Sequence, residues 1–529
     1  MTTAQRGTLA AAMLGSAIVF LDGTVVTLAL PKLGQQLTST VMGKLEAQTY
    51  VTSGYLATLA AFLVLAGALG DYYGRRRIFI IGLVGFGVTS ILCGIAGNFE
   101  ILVGARLAQG LAGALLIPGS LALITNTFDG PARARAFGLW AAVTAALGTL
   151  GPPIGGIILD AAGWRAMFLI NAPLVAAALF LSVKYMPESR DESASGHFDW
   201  LGALVAALAV GGLSFGLVRG QQTRWQEILP FIAIAVGCVA AIAFPILMAV
   251  RRHPLVPLSL FRRRTFSTIN LSTLLIYGAL YTGSMFQALF LQSTLGYTPL
   301  GAALVSLPAG LLLTLFSARV GTLSGKLGVR PFLVIGPAIM ALGSAWWLLV
   351  GADSAAWTAH IARPSTYLPP LDTIVGPLVA TLTFGVGLAL MVAPLTTGLM
   401  SSVPTRNAGI ASAINNALSR VGQPLVAAAV FIVVSGAFYG SLAAAVPGTD
   451  PESPQLRADY QPLNPPPPNA DPALVTASKQ ASTDAFHLSV LVAAGLLAGG
   501  AAVNGIGLRA RDDERVQESS AQPGAAGAG

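Results

Sequence analysis

Residues 9–30 read LAAAMLGSAIVFLDGTVVTLAL, an apolar run long enough to cross a bilayer and broken by one ionisable side chain, Asp22. A charged group deep in hydrocarbon costs at least about 3 kcal/mol, so such residues face a bundle interior or a water-filled pathway. Burial also favours the neutral acid, which makes Asp22 a candidate for exchanging a proton. The stretch therefore predicts a membrane helix carrying a proton site, with further helices forming a cavity beside it.

Similar runs recur along all 529 residues, of which 54% are hydrophobic and only 10% charged. Soluble proteins carry about 25% charged residues, so the chain reads as a polytopic membrane protein. Only helices and closed barrels satisfy their backbone in lipid, and runs this long are helices. Fourteen spans are expected, at about 9–30, 48–69, 78–97, 101–126, 136–159, 167–186, 200–218, 227–250, 266–291, 300–318, 332–351, 372–396, 408–435 and 487–508. The first follows a single Arg6 and lacks a small-residue cleavage site, so it reads as a retained helix.

The formal charge of +8 does not point to nucleic acid, because the basic residues sit in short clusters between spans. With the N-terminus cytoplasmic, alternate loops collect Arg75 to Arg77, Arg133, Arg135, Lys184, Arg190, Arg251, Arg252, Arg262 to Arg264, Arg319, Lys326, Arg330, Arg406 and the tail arginines. About 20 of the 30 basic residues then lie inside and about 8 outside, which predicts a plasma (inner) membrane protein with both termini cytoplasmic. Cys93 and Cys238 fall in apolar runs, and His197, His253, His360 and His487 fall in loops or at span edges. None has metal-ligand spacing, and there is no phosphate-binding loop, so neither metal, cofactor nor ATP hydrolysis is expected. Most connections are too short for a soluble catalytic domain. The outer loop 436–486, with PLNPPPPN, reads as extended or disordered, as does the tail 509–529.

An internal repeat organises the chain. GALGDYYGRRRIFIIG (Gly67 to Gly82) recurs about 250 residues later as GTLSGKLGVRPFLVIG (Gly321 to Gly336), with glycines, a leucine and a basic residue in register. Duplicated halves with a substrate site between them are the plan of many transporters. The division predicted is a six-helix bundle in 1–199, two linking helices in 200–252, a second six-helix bundle in 253–508 and the tail.

GALGDYYGRRR resembles the loop signature of the major facilitator superfamily, and LDGTVVTLALP (Leu21 to Pro31) resembles the first-helix signature of its fourteen-helix drug:proton antiporter branch. ARLAQGLAGA (Ala105 to Ala114), GPPIGG (Gly151 to Gly156) and WRAMFLINAP (Trp164 to Pro173) are similar to its fourth-, fifth- and sixth-helix motifs. PTRNAGIASAINNALSRVG (Pro404 to Gly422) extends the similarity into the second half. The resemblance implies an all-helical fold of two bundles and two inserted helices.

It also implies roles. Gly67, Asp71, Gly74 and Arg75 would form a latch between the bundles, with Asp71 pairing with an arginine or capping a helix; a solvated basic turn is the alternative. Tyr72 stands where a basic residue is usual, and Gly325 replaces the acid in the second copy, so the latch is expected on one side. Arg106 would serve proton movement near Asp22, or else snorkel to the outer interface or pair with Glu100. Gln109, Asn415 and Arg420 are candidates for the substrate cavity, Arg420 being equally open to a packing role. Gly151, Pro152, Gly155 and Gly156 offer a close-approach face and a bend that seals an antiporter against leak. Asp372, beside LPPL, reads as interfacial.

The expected function is proton-coupled efflux of lipophilic drugs or antibiotics, neutral or monocationic, by a monomer in contact with membrane lipids. An exporter of an endogenous lipid or secondary metabolite is the alternative on the same fold; a non-transporting scaffold or receptor is a remoter one.

Overall fold

The computed structural model describes residues 1–128, 130–190, 199–252, 254–403, 408–446, 448–467 and 469–508. The expected disordered tail, Arg406, His197 and His253 lie outside the described residues.

The apolar runs fold as long helices: α1 Thr3–Gln36, α2 Lys44–Tyr73, α3 Arg75–Gly94, α4 Phe99–Thr127, α5 Gly130–Leu169, α6 Asn171–Tyr185, α7 Trp200–Gln222 and α8 Leu229–Val250. They continue as α9 Arg264–Leu289, α10 Pro299–Leu327, α11 Arg330–Trp346, α12 Val379–Ser401, α13 Ala408–Ala445 and α14 Pro472–Gly507. Twelve are long and apolar enough to cross a bilayer alone, and Leu150–Leu169 with Asn171–Tyr185, bent by 42°, makes a thirteenth crossing. Fourteen were expected; by length and composition the described residues support twelve crossings, or thirteen with this bent pair, and the count turns on how α5 is divided. Gly163, at φ 76°, breaks the helix there, and the residues before it extend for about 50 Å at 1.5 Å each.

Helices α1 to α6 pack on one another, as do α9 to α14, while α5 meets α10 and α2 meets α13 between the two bundles. Helices α7 and α8 form a hairpin that lies on α2 and α13. The repeat seen in the letters is structural. Gly74 ends α2 at φ 107°, and Gly328, its counterpart, ends α10 at φ 84°, a backbone region that glycine enters without steric cost.

The two halves of the molecule along the helix axes differ. On the side away from the α2–α3 loop, a single apolar core joins Leu28, Leu45 and Trp164 of the first bundle to Phe286, Leu300 and Phe486 of the second. On the α2–α3 side each bundle has its own core, one built on Leu9, Phe79 and Leu123 and one on Phe266, Leu333 and Leu399, and a small third cluster of Leu65, Ala203, Met248 and Leu255 packs α2 against the α7–α8 hairpin and the segment that follows it. The bundles are thus fused on one half and parted on the other. At the fused half, a Cβ added to Gly156 of α5 would stand 3.0 Å from the Leu300 Cα and Ala303 Cβ of α10. Gln292 Nε2 donates to the Leu28 carbonyl at 3.1 Å, and His360 lies 3.3 Å from Asp160, adding polar links across the same joint.

The loop expected to be extended or disordered is instead built. Helix α13 runs on to Ala445, a short helix covers Pro454–Asp459, and α14 begins at Pro472. Between them Tyr460 and Leu463 are buried, Gln461 Oε1 accepts from the Leu45 amide at 3.2 Å, and Asn464 Nδ2 donates to Gln48 Oε1 at 3.1 Å. The hydropathy reading missed the first turns of α14 because their polar residues share the helix with a buried face of Ala477, Ala481, Ala485 and Phe486. His487 accordingly lies well inside a helix and not at its edge, with Nε2 3.0 Å from the Val350 carbonyl.

Candidate functional site

Asp22 projects from α1 into the first bundle and is 1% exposed. Its Oδ2 lies 2.5 Å from Arg106 Nη1 of α4, while Oδ1 accepts from Gln109 Nε2 at 3.3 Å and from Asn171 Nδ2 at 3.1 Å. Arg106 and Gln109 are three residues apart, so one face of α4 presents both to the same carboxylate. Arg106 also donates to Gln109 Oε1 at 2.7 Å and, through Nε, to the Val51 carbonyl of α2 at 3.1 Å. Its guanidinium lies 4.0 Å above the Tyr55 ring. Ser90 Oγ of α3 accepts from Gln109 at 3.2 Å and Asn171 at 2.9 Å, closing a network that draws on five helices.

This geometry answers the cost of burying charge. Opposite charges in contact offset the desolvation only when the remaining polar atoms are also satisfied, and here both oxygens of Asp22 are. All three partners donate to the carboxylate. The alternative partner for Arg106 is engaged elsewhere: Glu100 accepts from Ser39 Oγ at 2.6 Å and the Thr40 amide at 3.2 Å.

Two adjoining cavities lie beside the pair. A pocket of about 150 Å³ is bounded by Arg106, Tyr55, Thr27 and Gln423. It shares Thr24, Pro152, Tyr281 and Ser306 with a chamber of about 460 Å³ walled by Phe20, Tyr277, Trp347, Phe384 and Phe486. The chamber is aromatic and aliphatic with scattered hydroxyls and one amide, the composition of a site for apolar small molecules.

The other candidates fall in several places. Asn415 Nδ2 donates to Asn270 Oδ1 and Thr273 Oγ1, both at 3.0 Å, so it ties α13 to α9 and lines neither cavity. Arg420 is buried behind Phe20, 5.5 Å from its ring centre, and like Asn415 it lines neither cavity. A Cβ on Gly151 would sit 2.3 Å from Thr24 Oγ1, and one on Gly155 would be 3.0 Å from Val25 Cγ1, so both glycines bring α5 against α1. Pro152 borders both cavities. Asp372 is exposed and accepts from the Ala355 amide at 2.7 Å.

In the α2–α3 loop Arg75 pairs with Asp71 at 2.8 Å, and Gly67 packs beside Pro118. Capping falls to Glu188, whose carboxylate accepts the Arg76 and Arg77 amides at 3.1 and 3.2 Å at the start of α3. Across a space of about 680 Å³, Asp71 faces Ile410, Ser412 and Asn416 near the start of α13. Asn171, Ser90 and Tyr55 were not singled out by sequence reading. Asn171 stands within WRAMFLINAP, where a lone amide in an apolar run was the available signal.

Two bundles related by a repeat, parted on one half and enclosing a chamber beside a buried ion pair, define a secondary membrane transporter. The chain belongs to the Major Facilitator Superfamily, whose family model matches residues 12–427. It is a multi-pass membrane transporter and not an enzyme. It is 32% identical to multidrug resistance protein Stp of Mycobacterium tuberculosis (strain CDC 1551 / Oshkosh), over 80% of this chain and 75% of that one. It is 30% identical to the methylenomycin A resistance protein of Bacillus subtilis (strain 168), over 77% and 83%. It is also 30% identical to the tetracenomycin C resistance and export protein of Streptomyces glaucescens, over 79% and 74%. In fold it is similar to a bacterial homolog of the human lysosomal transporter Spinster in an inward-facing, unoccupied conformation, with TM-score 0.63, 17% identity and coverage of 98% and 99%.

Proposed function

We propose that the chain exports lipophilic drugs or antibiotics in exchange for protons by alternating access, as a monomer in the inner membrane. The observation that carries this reading is the position of Arg106. It is at once the charged partner of Asp22 and part of the wall of the pocket that opens on the chamber. Protonation of Asp22 releases the guanidinium toward that pocket; cargo in the pocket meets a rearranged wall. Proton and cargo thereby favour different arrangements of the same residues. The relatives named for resistance and export support drugs as cargo.

The clustering of basic residues on the α2–α3 side supports both termini facing the cytoplasm. The fused half is then the outer one, and the conformation is inward-facing. The bundles occupy 1–199 and 253–508, joined by the hairpin in 200–252. Asp71, Arg75 and the glycines of their loop act as a latch that closes toward α13 when the inner half shuts. Gly151, Pro152, Gly155 and Gly156 form the hinge face that keeps α1, α5 and α10 in register.

Coupling energy bounds the cargo. A membrane potential supplies about 2.3 kcal/mol per charge per 100 mV, and a pH unit adds about 1.4 kcal/mol. One proton exchanged for a neutral molecule draws on both, and for a monocation on the pH term alone, which sets neutral or monocationic cargo as the upper limit of positive charge.

In everted vesicles, drug uptake is expected to be concentrative and abolished by an uncoupler. Full concentrative uptake by Asp22→Asn would remove Asp22 from the coupling role. The chamber also reaches past the bundle interface to Leu313, Leu388 and Val392 of the second bundle, which suits the tail of an endogenous lipid. Accumulation of such a lipid in a deletion strain with unchanged drug tolerance would select that second reading.

A further inference from the structure

Arg420 and Gln423 lie three residues apart on α13, so they share a face of the helix. Arg420 is 6% exposed and Gln423 1%. Among the described residues no carboxylate pairs with Arg420, and its Nε–H has no acceptor; Gln423 Oε1 is likewise buried without a donor. The first is a buried cation without a counter-ion, the second an idle acceptor in the wall of the pocket beside Arg106. Phe20, beneath the guanidinium, belongs to the chamber wall.

The two arginines of the membrane interior are therefore not equivalent. Arg106 is neutralised by Asp22; Arg420 has no carboxylate partner among the described residues. No acidic residue lines the chamber or the pocket among the described residues. A lipophilic cation entering there would find aromatic faces but no opposite charge, and it would meet the field of Arg420. An ionised acid would find the missing counter-charge, and a hydroxyl beside that acid would find Gln423 Oε1. Arginine is suited to the task, because its guanidinium stays charged when buried, and its field reaches the chamber past the Phe20 ring.

We infer that Arg420, with Gln423 beside it, selects cargo by charge and that the preferred substrates are lipophilic organic acids, such as hydroxylated aromatic carboxylates, in their anionic form. This inference rests on the exporter reading and narrows its cargo. It agrees with the coupling limit, which caps positive charge and leaves negative charge open.

Binding and transport are measured separately so that the two readings fail separately. Purified full-length protein is titrated with 3-hydroxy-2-naphthoate, its methyl ester and 2-naphthylmethylammonium, and the same three compounds are offered to everted vesicles. The acid is expected to bind at least about tenfold tighter than the ammonium compound, the factor one charge exerts across several ångströms at an effective dielectric near 20. Arg420→Gln is expected to bring the acid and the ammonium compound within about threefold of each other, and Arg420→Lys to keep the acid ahead, because charge and not shape is being tested. Unfolding temperatures of the variants show that each is folded. Equal binding of acid and ammonium by the unmodified protein, or a preference that survives Arg420→Gln, overturns the inference whatever the vesicles show. Acid binding without uncoupler-sensitive uptake of any of the three overturns the exporter reading and leaves the binding assignment standing.

Discussion

At the scale of single residues, Asp22 shows what the letters convey and what they withhold. A lone acid in an apolar run announces a partner without naming one. Arg106 could be matched to it from the fourth-helix resemblance, but Asn171 and Ser90 come from helices whose faces no spacing rule relates to α1. The pair has a consequence for stability. Arg106→Gln leaves a buried carboxylate without its cation and is expected to cost about 3–5 kcal/mol, whereas Asp22→Asn with Arg106→Gln removes both charges and should recover most of that. Denaturant unfolding in detergent of the two variants beside the parent checks it. A double variant no more stable than the single one would show that the pair is not a closed electrostatic unit.

Single helices were legible where their composition was uniform. Most of the expected spans, the repeat and the glycine turns at Gly74 and Gly328 follow from periodicity and from backbone need. The limits of α14 were not, because a half-buried amphipathic end has the average polarity of a loop. Close packing between helices is also silent in one sequence, since every glycine looks alike. A Cβ at Gly110 of α4 would fall 2.2 Å from Thr58 Oγ1 and 2.3 Å from the Tyr55 carbonyl, while one at Gly104 would meet nothing within 4 Å. Gly110→Ala is therefore expected to destabilise by about 1–3 kcal/mol through overpacking of α2 on α4. Gly104→Ala should be neutral or stabilise by up to about 1 kcal/mol, since alanine is the better helix former. Unfolding midpoints of the two alanine variants give the comparison directly, and equal shifts would refute the packing account.

For the whole molecule, the fused and parted halves are the finding that hydropathy could not supply, because a conformational state is a relation between bundles and not a property of any run. The stretch from Tyr460 to Asn464 belongs to the second bundle's chain but grips the start of α2 in the first. In the proposed alternating-access cycle it must let go each time the fused half opens. Gln48→Cys with Asn464→Cys, in a background carrying Cys238→Ser, places two thiols where side chains now bond. A short bis-methanethiosulfonate, which forms a disulfide with each thiol and expels sulfinate, is expected to stop transport until a reductant cleaves it, and continued transport after complete cross-linking would free this loop from the cycle. The hairpin of α7 and α8 has a quieter consequence. It lies along the seam between α2 and α13, with Val239, Ile242 and Val250 of α8 turned outward. Acyl chains are thereby screened from that seam, whereas no such hairpin covers the matching seam between α5 and α10 among the described residues. Of two doors that the symmetry of the bundles provides, the inserted helices have walled up one.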